Sequence, residues 1–113
     1  MYNFAVTGAS GFIGGHVAQL LIDQGHKVIL LVRSDSGQIT NLAAQGAILH
    51  YCDLNVPQSF ATALEGVECL FHLAAQNTTD VQERQQVLSS TFGLTRSVLS
   101  TAHAAGVPKV IYT

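Results

Sequence analysis

Charged residues are scarce in this sequence. Asp, Glu, Lys and Arg make up 11% of its 113 residues, against roughly 25% in an average soluble domain. So few charged side chains cannot cover the whole surface of a domain. We therefore expect either that much of the sheet is buried between helices or that part of an apolar surface contacts something outside this chain. The five basic residues form no run and the net charge is −2. Nucleic acid is not an expected partner, because phosphate neutralisation needs clustered cations.

Long apolar runs and metal-ligand spacing are absent as well. No stretch of about 18 uncharged apolar residues occurs, and we predict no membrane span. The first four residues lack the basic start and apolar run of a signal peptide, so a cytoplasmic location is expected. Cys52, Cys69 and the dispersed histidines show no ligand spacing, and we expect reduced thiols and no metal site.

Apolar periodicity divides the chain into alternating strands and helices. Near-continuous apolar runs predict buried strands, and apolar residues at helical spacing predict amphipathic helices. Strands are predicted over residues 2–7, 27–32, 47–51, 68–73 and 109–113, and helices from 12 to a stop at Gly25, across 39–43, from 55 to about 64 and over 81–105. The alternation predicts one α/β domain over residues 1–113. Its architecture is a Rossmann-type, doubly wound, three-layer α/β/α fold with a five-stranded parallel sheet of order 3-2-1-4-5.

The segment VTGASGFIG, residues 6–14, joins the first predicted strand to the first predicted helix. Gly8 allows a sharp turn, Gly11 lets the backbone approach a pyrophosphate, and Gly14 lets the helix pack closely on the sheet. The helix N-terminus then presents free N–H groups and its positive dipole end to phosphates. The residues predicted to bind a dinucleotide here are Gly8, Ser10, Gly11, Phe12, Ile13 and Gly14. The alternative is an ordinary strand-to-helix turn with three glycines.

The glycine spacing is G-x-x-G-x-x-G rather than the dehydrogenase type G-x-G-x-x-G. With this spacing the sequence resembles the extended short-chain dehydrogenase/reductase family of NAD(P)-dependent sugar epimerases, dehydratases and related ketone reductases. The Arg33 region, CDL at 52–54, HLAA at 72–75 and AAGVPKVIYT at 104–113 follow in the family's order. The resemblance spans the whole chain and matches the family's N-terminal cofactor-binding half. It implies a dinucleotide cofactor.

The residues after the second strand bear on which dinucleotide is bound. NAD-binding Rossmann domains place an acidic residue there for the ribose hydroxyls, and this chain has Arg33 followed by Ser34. Arginine pairs with a 2′-phosphate through charge-assisted hydrogen bonds, so NADP is favoured over NAD. Asp35 keeps NAD open if the loop folds back. The other interpretation of Arg33 is a solvated charge at a strand end.

Further cofactor contacts follow from the resemblance. Asp53 would accept a hydrogen bond from the adenine amino group while Leu54 contributes its backbone. The family usually has glycine before this Asp, where Cys52 stands here, and the alternative is that Asp53 caps the loop before Pro57. The ribose and pyrophosphate side would be lined by Leu73, Ala74 and Ala75.

The family's chemistry uses a Tyr-x-x-x-Lys pair with a Ser or Thr, in which the tyrosine acts as acid and base. None of the three tyrosines here has Lys four residues later, so we expect no catalytic residue in this chain and no activity from it alone. In a parent oxidoreductase or epimerase, hydride would pass between nicotinamide C4 and a carbinol or keto carbon. The alternatives are a non-catalytic NAD(P)-binding module or redox sensor, and a fragment that binds nothing.

The predicted topology leaves one sheet face short of cover. Right-handed crossovers put the first two helices on one face and the last two on the other, so nothing covers strands four and five on the first face. Their alternate side chains would be bare, and strand five would be an open edge. We therefore expect self-association through this face or the helix over 81–105, partial instability, or a longer natural protein.

Overall fold

The computed structural model describes residues 1–73 and 81–112, with backbone alone over 81–92. The strands described are β1 Asn3–Thr7, β2 Lys27–Val32, β3 Ile48–Tyr51, β4 Cys69–His72 and β5 Lys109–Tyr112. The α-helices described are α1 Phe12–Asp23, α2 Gly37–Ala44 and α3 Val81–Ala104. These bounds agree closely with the predicted ones, except in the segment before β4. Within the described ranges, no helix is both long and apolar enough to cross a membrane.

The strands form one parallel sheet of order β3-β2-β1-β4-β5, which confirms the predicted topology. The chain passes outward from β1 through β2 to β3 and then returns across the sheet to β4. This return places the carboxyl ends of β1 and β4 side by side, with Thr7 paired to His72. Doubly wound sheets bind ligands in the crevice outside such a switch point, so a site is expected at this edge.

The helix predicted over residues 55–64 is wrong. The segment instead forms two short 3-10 turns, Pro57–Ser59 and Thr62–Leu64. Polar side chains bond the local backbone: the Asp53 carboxylate accepts from the Asn55 N–H at 2.9 Å, and the Ser59 hydroxyl donates to the Asp53 carbonyl at 2.7 Å. Such bonds offer the backbone an alternative to helical hydrogen bonds, and here they hold an irregular loop.

Two apolar clusters hold the helices against the sheet. Neighbouring residues of β1 enter opposite clusters, Val6 on the side of α1 and α2 and Ala5 on the side of α3, as expected for a strand covered on both faces. The first cluster includes Ala18, Val28, Leu30, Ile39 and Leu42, and the second includes Phe60, Leu64, Leu70, Val98 and Ala102. Burial of each large side chain stabilises the fold by about 1.5–3 kcal/mol.

The face of β4 and β5 beside α1 is partly open. Phe71 is half-buried and Ile111 is 39% exposed, whereas Cys69 is buried. Phe4 packs edge-on against Phe71 with ring centroids 5.8 Å apart and against His26 at 4.9 Å, so aromatic rings shield part of this face. Self-association through the remaining open side chains stays a prediction.

Candidate functional site

β1 leads into a tight turn at Gly8. Gly8 has φ +78°, a left-handed conformation that residues with a Cβ rarely adopt. A hydrogen bond from the Gly11 N–H to the Gly8 carbonyl, 3.0 Å between N and O, closes the turn. Residues 8–11 therefore carry the chain from the end of β1 directly to the start of α1.

Gly14 brings α1 into contact with this turn. A Cβ on Gly14 would lie 2.6 Å from the carbonyl carbon of Gly8 and would overlap its oxygen. A Cβ on Gly11 would lie 3.4 Å from the same oxygen, an ordinary contact, and its φ of −86° suits any residue. The protein's own packing thus requires glycine at position 14 but not at position 11. Glycine at position 11 leaves the outer surface of the turn open to close approach by a ligand.

The N-terminus of α1 carries backbone N–H groups that helical hydrogen bonds do not use. Gly11 is the N-cap, and in the described part of the chain no side chain caps this helix and no acidic residue stands in its first turn. The first helical hydrogen bond of α1 runs from the Gly15 N–H to the Gly11 carbonyl, 2.9 Å between N and O. The N–H groups of residues 12–14 come before this bond in the chain and follow the exposed Ser10. This positive end of the helix dipole is suited to phosphate.

Gln38, in the first turn of α2, holds the glycine turn from the side. Its side-chain amide donates to two turn carbonyls, those of Ala9 at 2.5 Å and Gly11 at 2.9 Å. Gly15 makes room for this amide, because a Cβ there would lie 2.8 Å from Gln38 Cδ. Sequence reasoning missed this contact. The doubled glycine at 14 and 15 was the signal that could have found it, since the glycine pattern needs Gly14 alone.

The loop from β2 to α2 spans residues 33–36. Arg33 and Ser34 are both exposed, directly after the carboxyl end of β2. Asp35 accepts a hydrogen bond from the hydroxyl of Tyr51, the last residue of β3, and this bond raises the pKa of Tyr51 above its ordinary value. The loop thus exposes Arg33 and Ser34 and ties Asp35 to the neighbouring strand.

Asp53 and Leu54 follow β3 at the same edge of the sheet. Asp53 is exposed, and one of its carboxylate oxygens accepts a hydrogen bond from the Asn55 N–H. This bond agrees with the alternative interpretation from the sequence, in which Asp53 caps the loop before Pro57. Its contact with adenine stays a prediction. Leu54 is half-buried against the second apolar cluster, and the Ser97 hydroxyl of α3 donates to its carbonyl at 2.9 Å. The backbone after β3 is therefore anchored from both sides.

Cys52 stands where the resemblance leads us to expect glycine. Its N–H donates to the Val32 carbonyl at 2.8 Å, so hydrogen bonding to β2 continues past Tyr51. Burial, and then the charge of Asp53, raises the pKa of its thiol, which stays protonated at neutral pH. The cysteine therefore leaves the backbone pairing at this edge intact.

A buried hydrogen-bond chain joins the carboxyl ends of β1 and β4. The Thr7 hydroxyl lies 2.7 Å from His72 Nδ1, and His72 Nε2 lies 3.2 Å from the Thr95 hydroxyl of α3. The Leu73 N–H donates to the Thr7 hydroxyl at 3.0 Å. Burial lowers the pKa of His72, so its ring is neutral at pH 7. His72 is therefore a packed link between β1, β4 and α3, and the Thr7 hydroxyl that it contacts holds Leu73 at the end of β4.

The predicted site residues that the structure describes meet at one edge of the sheet. The glycine turn follows β1, Arg33 follows β2, Asp53 follows β3 and Leu73 follows β4. Ala74 and Ala75 lie outside the described residues. Among the residues described, no group of three or more His, Cys, Asp or Glu side chains could hold a metal ion. The fold and its turn at the switch point are those of a Rossmann-type nucleotide-binding domain.

Comparison with known proteins identifies the family. Residues 4–113 match the NAD dependent epimerase/dehydratase family, and the chain belongs to it. This confirms the resemblance drawn from the sequence. The chain is 36% identical over 110 residues to sterol demethylase protein B of Methylococcus capsulatus, an alignment that covers 96% of this chain and 33% of that protein.

Solved structures show the same fold. A UDP-glucose-4-epimerase from Stenotrophomonas maltophila with bound NAD matches 99% of this chain and 36% of its own, with a TM-score of 0.86 at 21% identity. A short-chain dehydrogenase/reductase superfamily protein from Agrobacterium tumefaciens, also with bound NAD, matches 98% of this chain and 32% of its own, with a TM-score of 0.78 at 27% identity. This chain spans about a third of the length of the relatives it matches.

Proposed function

We propose that this chain binds NADP, in preference to NAD, as the cofactor-binding portion of an NAD(P)-dependent oxidoreductase or epimerase. The glycine turn carries the proposal. The protein's own packing would tolerate a side chain at position 11, yet this residue is glycine. It lies directly before the N–H groups in the first turn of α1. Family membership and the NAD bound by the Agrobacterium tumefaciens protein support a nicotinamide dinucleotide as the ligand.

The pyrophosphate is assigned to the outer surface of the glycine turn. Backbone N–H groups at the start of α1 donate to its oxygens, and the helix dipole contributes about 0.3–1 kcal/mol for each negative charge at this end. Gln38 supports the arrangement by donating to two turn carbonyls, which fixes the backbone of the turn. The residues assigned to this contact are Gly8, Ser10, Gly11, Phe12, Ile13 and Gly14.

The adenosine half is assigned to the carboxyl ends of β2 and β3. Arg33 supplies a guanidinium that forms charge-assisted, bidentate hydrogen bonds with a 2′-phosphate, and the neighbouring Ser34 supplies a hydroxyl. The preference for NADP rests on Arg33 occupying the position of the usual acidic residue. Asp53 and Leu54 are assigned to adenine. The ribose and pyrophosphate side is assigned to Leu73, Ala74 and Ala75.

The role assigned to this chain is binding and orientation of the cofactor. When bound, the nicotinamide ring exchanges a hydride at C4 with the substrate. Neither Tyr2 nor Tyr51 has a lysine four residues later, and burial lowers the pKa of His72, whose ring lies between two hydroxyls. Proton transfer to a substrate is therefore assigned to other parts of the whole enzyme.

Titration with NADPH and NADH, followed by nicotinamide fluorescence, tests the proposal. The wild-type chain should bind NADPH more tightly, and Arg33→Asp should abolish that preference. Gly11→Ala should weaken both nucleotides about tenfold or more, because its Cβ separates the backbone from the pyrophosphate. Its free energy of unfolding should fall by only about 1 kcal/mol, the cost of alanine in place of glycine at an N-cap, since the new contact with Gly8 is an ordinary one.

Gly93→Ala is the matched control for Gly11→Ala. Gly93 is exposed in α3, and no atom of the described residues lies within contact distance of a Cβ placed there, so the same chemical change should leave both affinities unchanged. A folded wild-type chain that binds neither nucleotide would contradict the proposal. Equal loss of affinity in the two alanine variants would contradict the assignment of the glycine turn.

A further inference from the structure

A side-chain hydrogen bond ties the β2–α2 loop to the outer strand of the sheet. The hydroxyl of Tyr51 donates to the carboxylate of Asp35, which lies two residues after Arg33. Tyr51 pairs with Val32, the last residue of β2, so it stands directly beside the start of the loop. The carboxylate raises the pKa of Tyr51, and the hydroxyl therefore remains a protonated donor at neutral pH.

The strand order shows toward which side of the sheet this bond draws the Asp35 carboxylate. β3 lies on one side of β2, and β1 with its glycine turn lies on the other. Tyr51 holds the Asp35 carboxylate on the β3 side of the loop, away from the glycine turn. Both groups are exposed, so the bond is made at the surface where a ligand crossing from β1 to β3 would lie.

We infer that Tyr51 is a specificity-determining residue that favours NADP by keeping the Asp35 carboxylate away from the 2′ position beside Arg33. The inference rests on the proposed function, because it concerns how that same site discriminates between the two dinucleotides. Tyr51 would thus influence the choice of cofactor through Asp35, without itself contacting the 2′-phosphate.

The chemistry of a released carboxylate supports this inference. A free Asp35 can accept a hydrogen bond from the ribose hydroxyls of NAD, as the acidic residue of NAD-binding Rossmann domains does. It can also pair with Arg33 and so compete with a 2′-phosphate for the guanidinium, while its own charge repels that phosphate. Each of these effects shifts the affinity ratio in the same direction, toward NAD.

Titrations with NADPH and with NADH on four forms of the protein test this inference. Tyr51→Phe removes the hydroxyl alone and should lower the ratio of NADPH affinity to NADH affinity about fivefold or more. Tyr51→Phe combined with Asp35→Asn removes the released charge and should restore the wild-type ratio. Tyr2→Phe is the control, since Tyr2 lies before the amino end of β1 and is 57% exposed, against 55% for Tyr51.

The outcomes separate the inference from the proposed function. If the folded wild-type chain binds neither nucleotide, the proposed function fails and the inference fails with it. If the wild-type chain prefers NADPH and Tyr51→Phe keeps the same ratio, the inference alone is overturned. An equal loss of both affinities in Tyr51→Phe also overturns it, because that result shows a structural role without discrimination. A fall in the ratio that the double variant reverses supports it.

Discussion

The contribution of the contact between Gln38 and the glycine turn to the stability of the chain can be estimated. Gln38→Met keeps the length of the side chain and removes both N–H donors, so the carbonyls of Ala9 and Gly11 lose these partners. A hydrogen bond contributes about 0.5–1.5 kcal/mol net to stability. Because Gln38 is an exposed residue, we expect the lower part of that range for each bond, a loss of about 1–2 kcal/mol in the free energy of unfolding.

Urea unfolding of the wild type and Gln38→Met measures this loss, and each kcal/mol of it corresponds to a fall of about 4–8 °C in melting temperature for a chain of about this size. Gln45→Met is the control. Gln45 exchanges side-chain hydrogen bonds with Gln19 on the surface between α1 and α2 and, among the described residues, forms none with the glycine turn. Both variants should lose stability, but nucleotide affinity should fall in Gln38→Met alone.

Gly15 provides an independent check of the same contact. Gly15→Ala places a Cβ against the Gln38 amide and should destabilise the chain, and adding Gln38→Ala should recover part of the loss because the crowded group is gone. Additive effects of Gly15→Ala and Gln38→Ala, or a Gln38→Met variant as stable as the wild type, would refute the reasoning.

Two further predictions concern the core of the site. Gly14→Ala should lower the free energy of unfolding by more than about 2 kcal/mol, roughly the cost of forcing a backbone shift in a packed region. The Gly8 backbone, unlike a flexible side chain, cannot move away from the new Cβ. A urea unfolding transition unchanged from that of the wild type would contradict this prediction. The pKa of His72 is lowered on folding, so the unfolded chain takes up a proton more readily. Stability from this group is complete above about pH 6.5 and falls as the pH drops below it, and His72→Gln should flatten this part of the pH profile measured by urea unfolding. A wild-type profile that rises on acidification would contradict the assignment.

The sheet could be predicted from the sequence because its signals are local. Near-continuous apolar runs such as KVILLV mark strands buried on both faces, and glycines 8, 25, 66 and 106 mark the turns that follow strands and helices. The strand order follows from right-handed crossovers once the glycine turn is placed after the first strand. The failed helix over 55–64 has a local cause too, but one that periodicity does not detect: Asp53 and Ser59 bond the backbone of their own loop.

The contacts that refine the site could not be predicted in the same way. Gln38 reaches the glycine turn from a different helix, and Tyr51 reaches Asp35 from a different strand. Each of these pairs is brought together by the packing of α2 beside α1 or of β3 beside β2. The second glycine, Gly15, is a trace of the Gln38 contact in the sequence, whereas no spacing marks the pair of Tyr51 and Asp35. A backbone motif such as the glycine turn can therefore be recognised from the sequence, whereas the side chains that position it from other elements are much harder to find there.

In the proposed function, the glycine turn and the end of β2 hold the dinucleotide. Amide chemical shifts of the ¹⁵N-labelled chain, recorded while NADPH is added, test it most directly. The largest saturable changes should fall on the amides of residues 10–14 and on those of Arg33 and Ser34. Saturable changes confined to other parts of the chain, or a folded chain whose spectrum does not respond to NADPH, would contradict it.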